Sequence, residues 1–200
     1  MRAGISWLGP PLAGGLLCLS ALAGSGAPPA RAAEGDFVLR DFHFRSGERL
    51  PELRLHWITA GAPLRDPRGR TTNAVLVLHG TGGSGRQFLA PQFAGELFGA
   101  GAPLDTTKMF VILPDGIGHG RSSKPSDGLH AHFPRYDYDD MVAAQHALVT
   151  DGLRVNHLRL VMGTSMGGMH TWVWGETYPS CRWPASRPPS PEGTASGERW

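Results

Sequence analysis

Leu158-Arg-Leu-Val-Met-Gly-Thr-Ser-Met-Gly167 is the stretch on which the fold turns. Its second half, Gly163-Thr164-Ser165-Met166-Gly167, fits G-x-S-x-G. The apolar run before it, Leu158 to Met162, reads as a buried strand, and a helical pattern runs on from Met166 to Tyr178. Strand, sharp turn and helix in that order make a nucleophile elbow, which holds a serine oxygen exposed on a strained corner. Glycines flank the serine because a side chain there would collide with the neighbouring strand and helix. A serine so placed needs a histidine base and a carboxylate to orient that base. In this arrangement the partners follow in the order serine, acid, histidine. Only 35 residues follow Ser165, and they hold no aspartate and one histidine, His170. His170 stands five residues along the same helix and points away from the serine's side, which makes it a poor base. The sequence supplies a nucleophile and not its base.

Upstream, the pattern is strands alternating with helices. Asp36 to Phe44 and Arg54 to Ala60 alternate as two strands of a hairpin, and Arg65 to Thr72 is a polar loop. Asn73 to Leu78 contains the continuous apolar run AVLVL, of the kind buried on both faces of a parallel sheet. A helix is expected over about Arg86 to Leu97, and a second buried strand over Met109 to Leu113. The segment Asp139 to Leu153 puts Met141, Ala144 and Leu148 on one helical face. The expected fold class is α/β, a mostly parallel sheet with helices on both faces.

The turn His79-Gly80-Thr81-Gly82-Gly83-Ser84-Gly85 lies about 80 residues before the serine. In an elbow architecture that earlier turn donates one backbone N–H to an oxyanion hole, and the residue after the nucleophile donates the other. Thr81 and Met166 are the candidate donors. Gly80 to Gly85 also fits G-x-G-x-x-G, and Asp115 ends the next strand, so a dinucleotide site is a rival reading. Against it, Asp115 lies beyond the usual spacing of about 20 residues, and two strands precede a fingerprint that normally opens the sheet. His119 sits in a tight glycine-rich loop and reads as solvent-facing. His130 and His132 lack a third ligand in register. No cofactor and no metal are expected.

Composition narrows the setting. A net charge of +2, from 17 arginines and two lysines without a dense patch, gives no case for nucleic acid. Residues 1–32 carry Arg2, an apolar run Leu12 to Leu22 and the small-x-small site Ala30-Arg31-Ala32, the pattern of a secretory signal peptide. That run is too short for a stable membrane span, so a secreted or periplasmic protein is expected, and with Cys18 in the signal segment Cys181 would be the one cysteine of the mature chain. Residues 33–179 form the folded part. From Ser180 to Trp200 prolines, serines and arginines follow without periodicity, and this stretch reads as a disordered tail.

Together these motifs resemble the α/β-hydrolase family, in its homoserine O-acetyltransferase-like branch, over about residues 36 to 179. The most specific part is Asp140-Met141-Val142 with Ala144-Gln145, then Leu158 to Met162, then Gly163 to Met169, ending in Glu176-Thr-Tyr-Pro179. The resemblance implies serine-dependent acyl transfer or ester hydrolysis through an acyl-enzyme on Ser165, with Thr81 and Met166 framing the oxyanion. The small-molecule partner would be an ester or acyl donor. The loop Gly116 to Pro125 reads like that of a general hydrolase, so hydrolase and acyltransferase both stay open. Family members continue through a lid, further strands, the acid and the histidine. The chain therefore reads as a fold truncated after its fifth strand, and an inactive fragment or pseudoenzyme is the alternative. Leu158 to Met162 would then be an unprotected edge, open to a protein partner or to self-association.

Overall fold

The computed structural model describes residues 32–179. The signal-peptide and tail readings fall outside the described residues, except that Ala32 opens the first strand. Strands β1 (Ala32–His43) and β2 (Arg49–Ala60) form a long antiparallel hairpin, in register from Ala32 opposite Ala60 to His43 opposite Arg49. Both outrun their sequence reading: the added start of β1 is mostly exposed, and the added start of β2 breaks the alternation of apolar and polar residues at Pro51 although Leu50 and Leu53 are buried. The strands β3 (Ala74–Leu78) and β4 (Phe110–Pro114) are buried at every position. Their side chains alternate between the two faces, as a pleated strand requires. Ala74, Leu76, Leu78, Phe110 and Ile112 share one apolar cluster, while Val75, Val77, Val111 and Leu113 belong to another.

The sheet order is β1-β2-β4-β3-β5, with β5 spanning Leu160–Gly163. Pairing is antiparallel from β1 through β2 to β4, and parallel from β4 through β3 to β5. The sheet is therefore evenly mixed, the hairpin contributing its antiparallel half. Helix α1 (Pro91–Leu97) lies on the side of Val75 and Val77, where Ala94 and Leu97 pack. Helices α2 (Tyr138–Ala147) and α3 (Met166–Thr177) cover the opposite side, where Val142 and Trp174 join Leu76 and Ile112.

Local chemistry sets the helix ends. The helix read over 86–97 is broken into a 3-10 turn, Gly85–Leu89, and α1, because Pro91 takes the first helical position. At the start of α2, Asp137 accepts the N–H of Asp140 and the Asp140 carboxylate accepts the N–H of Asp137. Asp140 also accepts the N–H of Arg45, fastening the hairpin turn to α2. The helix ends in a π-helical turn, Leu148–Gly152, sooner than the apolar spacing alone implies.

β5 corrects one reading. Leu160 is exposed and the rest of the strand is half-buried, because among the described residues β5 has a neighbour only on its β3 side. A groove of about 330 Å³ follows this edge, lined by Leu158, Leu160, Val161, Trp174 and Tyr178 and by none of the candidate site residues. No helix among the described residues is long and apolar enough to cross a membrane.

The contrast between the strands is measurable. Leu76 is fully buried in β3, which has a strand on either side, so Leu76→Ala should lower unfolding free energy by about 2–5 kcal/mol in urea melts. Leu160→Ala, at an exposed edge position, should change it by no more than about 0.5 kcal/mol. Equal losses would mean that burial does not rank these sites.

Candidate active site

The corner between β5 and α3 is built by close backbone contact. A Cβ on Gly167 would stand 2.1 Å from the carbonyl oxygen of Leu78, and one on Gly163 would stand 2.3 Å from the carbonyl carbon of Gly167. Only glycine lets the first turn of α3 sit this close to the ends of β3 and β5. Between them Ser165 adopts φ 52° and ψ −118°, a conformation that costs a non-glycine residue of the order of 1–3 kcal/mol. Its side chain is exposed at the N-terminus of α3, as an elbow requires. Met166 then contributes the first N–H of the helix, which by its position has no partner within the helix.

The turn after β3 lies against this corner. A Cβ on Gly80 would come within 3.3 Å of both the Ser165 Cβ and the Thr164 carbonyl oxygen. The Gly83 N–H closes a tight turn on the Gly80 carbonyl at 3.0 Å. Thr81 is exposed at the tip of that turn, and its N–H makes no hydrogen bond among the described residues. The structure thus brings Ser165, Met166 and the turn carrying Thr81 to one place.

Buried polar groups fix the turn, and sequence reasoning missed their roles. Asp115, buried at the end of β4, accepts the N–H of Gly85 and the N–H of Arg121, each at 2.7 Å. Both oxygens are engaged, and the segment after the turn is a five-residue 3-10 helix, so the dinucleotide reading finds no support here. Ser122 accepts the N–H of His56 and donates to the carbonyl of Asp115. His79 is buried, with Nδ1 at 2.8 Å from the Gly80 carbonyl and Nε2 accepting the Gly116 N–H at 2.9 Å. Burial holds its imidazole below the usual histidine range, helped by His119 and opposed by the Gly80 carbonyl and Asp115. On the surface, Glu34 of β1 pairs with both Arg86 and Arg121, and the Arg86 hydrogen bond leads in lowering its pKa.

His170 is buried, its Nδ1 3.3 Å from the Gln145 amide nitrogen, and Gln145 accepts the Trp174 indole N–H at 3.0 Å. Its Nε2 has no partner among the described residues. His119 is half-buried rather than solvent-facing, its Nδ1 on the Ile117 carbonyl and its ring beside His79. The loop folds back over the end of β3, which its glycine content alone does not reveal. His130 and His132 are exposed on a 3-10 turn. Among the described residues, no histidine or carboxylate is hydrogen-bonded to Ser165.

Gly167→Ala should cost at least about 1–3 kcal/mol of stability, because its methyl group meets rigid backbone. Gly175→Ala, with open space around it in the same helix, should gain about 0.5–1 kcal/mol. Comparable melting temperatures for the two variants would refute the close-contact account. A second expectation concerns acid. Burial first, then His79 and His119, lower the His170 pKa from 6.5 to about 4. The unfolded chain takes up this proton near 6.5 and the native protein only near 4. Stability is therefore full above about pH 6.5 and falls as pH drops toward 4. The urea midpoint should fall across this window, and His170→Gln should flatten the fall. An unchanged slope in the variant would assign the effect to other groups.

A family model described as the alpha/beta hydrolase fold matches residues 73–182. A probable acyltransferase of Methanothermobacter thermautotrophicus is 33% identical over 147 residues, covering 72% of this chain and 44% of that protein. The homoserine O-acetyltransferase of Clavibacter michiganensis is 35% identical over 178 residues, covering 77% and 44%. Among solved structures, the acetyl esterase MekB superposes with a TM-score of 0.64 at 27% identity, covering 75% of this chain and 42% of that one. The chain spans less than half the length of the curated relatives it matches. With a mixed five-stranded sheet, helices on both faces and relatives that include homoserine O-acetyltransferases, the chain belongs to the α/β-hydrolase family.

Proposed function

We propose that Ser165 is the nucleophile of an acyl-transfer or ester-hydrolysis reaction on a small ester or acyl donor. The observation that carries this reading is the strained, exposed serine at the start of α3, in contact with the turn that bears Thr81. The Ser165 oxygen attacks the acyl carbonyl carbon, and the bond to the leaving alkoxide or thiolate breaks as the acyl-enzyme forms. The hydroxyl proton passes to a base and on to the leaving group. Charge gathers on the carbonyl oxygen, which the N–H groups of Thr81 and Met166 stabilise. Removing one such donor typically lowers the rate about 10²–10³-fold. The positive end of α3 acts in the same sense. Water or a second alcohol then takes the acyl group, giving hydrolysis or transfer.

His170 favours a second reading. It is buried and tied to Gln145, and so unable to serve as the base. A chain relying on the described residues alone would acylate slowly or be a non-catalytic member of the family.

One experiment separates the two readings. The full chain is incubated with p-nitrophenyl acetate and with a p-nitrophenyl phosphonate, and intact mass is followed alongside p-nitrophenol release. The expected result is a single adduct on wild type, reduced at least about 100-fold in Ser165→Ala. Absence of any adduct across neutral and mildly alkaline pH would hand the case to the non-catalytic reading.

A further inference from the structure

A trans peptide unit points its C=O and its N–H in opposite directions. The carbonyl of Gly80 and the N–H of Thr81 belong to one such unit, and no cis peptide occurs among the described residues. Whatever holds the Gly80 carbonyl therefore aims the Thr81 N–H. Two donors hold it, the His79 Nδ1–H at 2.8 Å and the Gly83 N–H at 3.0 Å. The far side of the His79 ring accepts the Gly116 N–H. This second bond decides the tautomer, because Nε2 must carry the lone pair and the ring proton must lie on Nδ1.

We propose that His79 is a positioning residue whose neutral ring, gripped by Gly116, donates to the Gly80 carbonyl and so aims the Thr81 N–H at an acyl oxygen on Ser165. The acyl oxygen as target rests on the proposed function, whereas the coupling of His79 to the Thr81 peptide stands without it. A second proton on the ring sets Nε2–H against the Gly116 N–H, donor facing donor, so ring or loop has to move. The carbonyl of Gly80 is then released from the grip that orients it. The charged or titratable groups facing His79 are His119 and Asp115 from β4 and its following loop and His170 from α3. A proton on either histidine opposes one on His79, and the Asp115 carboxylate favours it. The neutral ring is thus the form that supports the turn.

Two substitutions divide the imidazole's two tasks. Asn places an amide N–H near Nδ1 and can keep the bond to Gly80. Gln places an amide oxygen near Nε2 and can keep the bond to Gly116. The full chain, labelled with ¹⁵N, is followed by NMR from about pH 8 to about pH 5, reading the Thr81 amide and the histidine ring nitrogens. In wild type the Thr81 amide should titrate with the midpoint of His79. His79→Asn should keep the high-pH position of Thr81 and lose the titration. His79→Gln should displace Thr81 at every pH. Phosphonylation of Ser165 should slow about 100-fold in His79→Gln and stay within about threefold of wild type in His79→Asn. An unmoved Thr81 amide in His79→Gln overturns the proposal. So does a titration that survives in His79→Asn and vanishes in His119→Gln. If neither His79 variant folds, co-titration in wild type still decides, and different midpoints overturn the assignment. Coupling of Thr81 to His79 without any adduct on Ser165 supports the positioning role and refutes the acyl-transfer reading.

Discussion

The carbonyl oxygen of Leu78 and the α-carbon of Gly167 come so close that no side chain fits between them. That approach ties the end of β3 to the first turn of α3, and the site inherits its geometry from it. With any larger residue the helix would ride away from the sheet. Ser165 would then leave its positive φ, and the Gly80 turn would lose contact with the corner. The all-apolar strands beneath make the approach rigid, since Leu76 and Leu78 are sealed by Trp174 and Val142 on the helix side. Strain at one residue persists because many neighbours over-determine it.

A second principle operates above the sheet, where loops rather than strands must be fixed. Here the work passes to buried polar groups, each joining two segments of the chain. Asp115 holds Gly85 and Arg121, His79 holds Gly80 and Gly116, and Ser122 holds His56 and Asp115. Hydrogen bonds to a charged group contribute about 1.5–3 kcal/mol each, and leaving such a group unpaired costs more than that gain.

Which parts of this were legible in the sequence follows from the range of the interactions. AVLVL and the G-x-S-x-G corner are local signals, and β3 and the turn from β5 into α3 stand where those signals put them. The turn after β3 also lies against the Ser165 corner. The full length of β1 and β2, the π-helical close of α2 and the exposure of Leu160 depend on distant neighbours. The roles of Asp115 and His79 were hidden for the same reason. Asp115 meets Gly85 thirty residues away, and His79 meets Gly116 beyond the end of the neighbouring strand. A faint signal existed nonetheless, since each polar residue stands directly at the end of a wholly apolar strand.

The strand order has a consequence for how the protein is made. β3 lies between β4 and β5, pairing Val75 with both Val111 and Leu160. A chain emerging from the ribosome can close the β1–β2 hairpin early, because its partners are near neighbours in sequence. The apolar run 74–78, by contrast, has to wait for its second flank until residue 160 and the helix beyond it are synthesised. Non-local parallel pairings of this kind form late and leave apolar strands uncovered in the interval. During that interval the nascent chain is at its most adhesive, so slower translation of the segment after Pro114 should favour chaperone capture over folding.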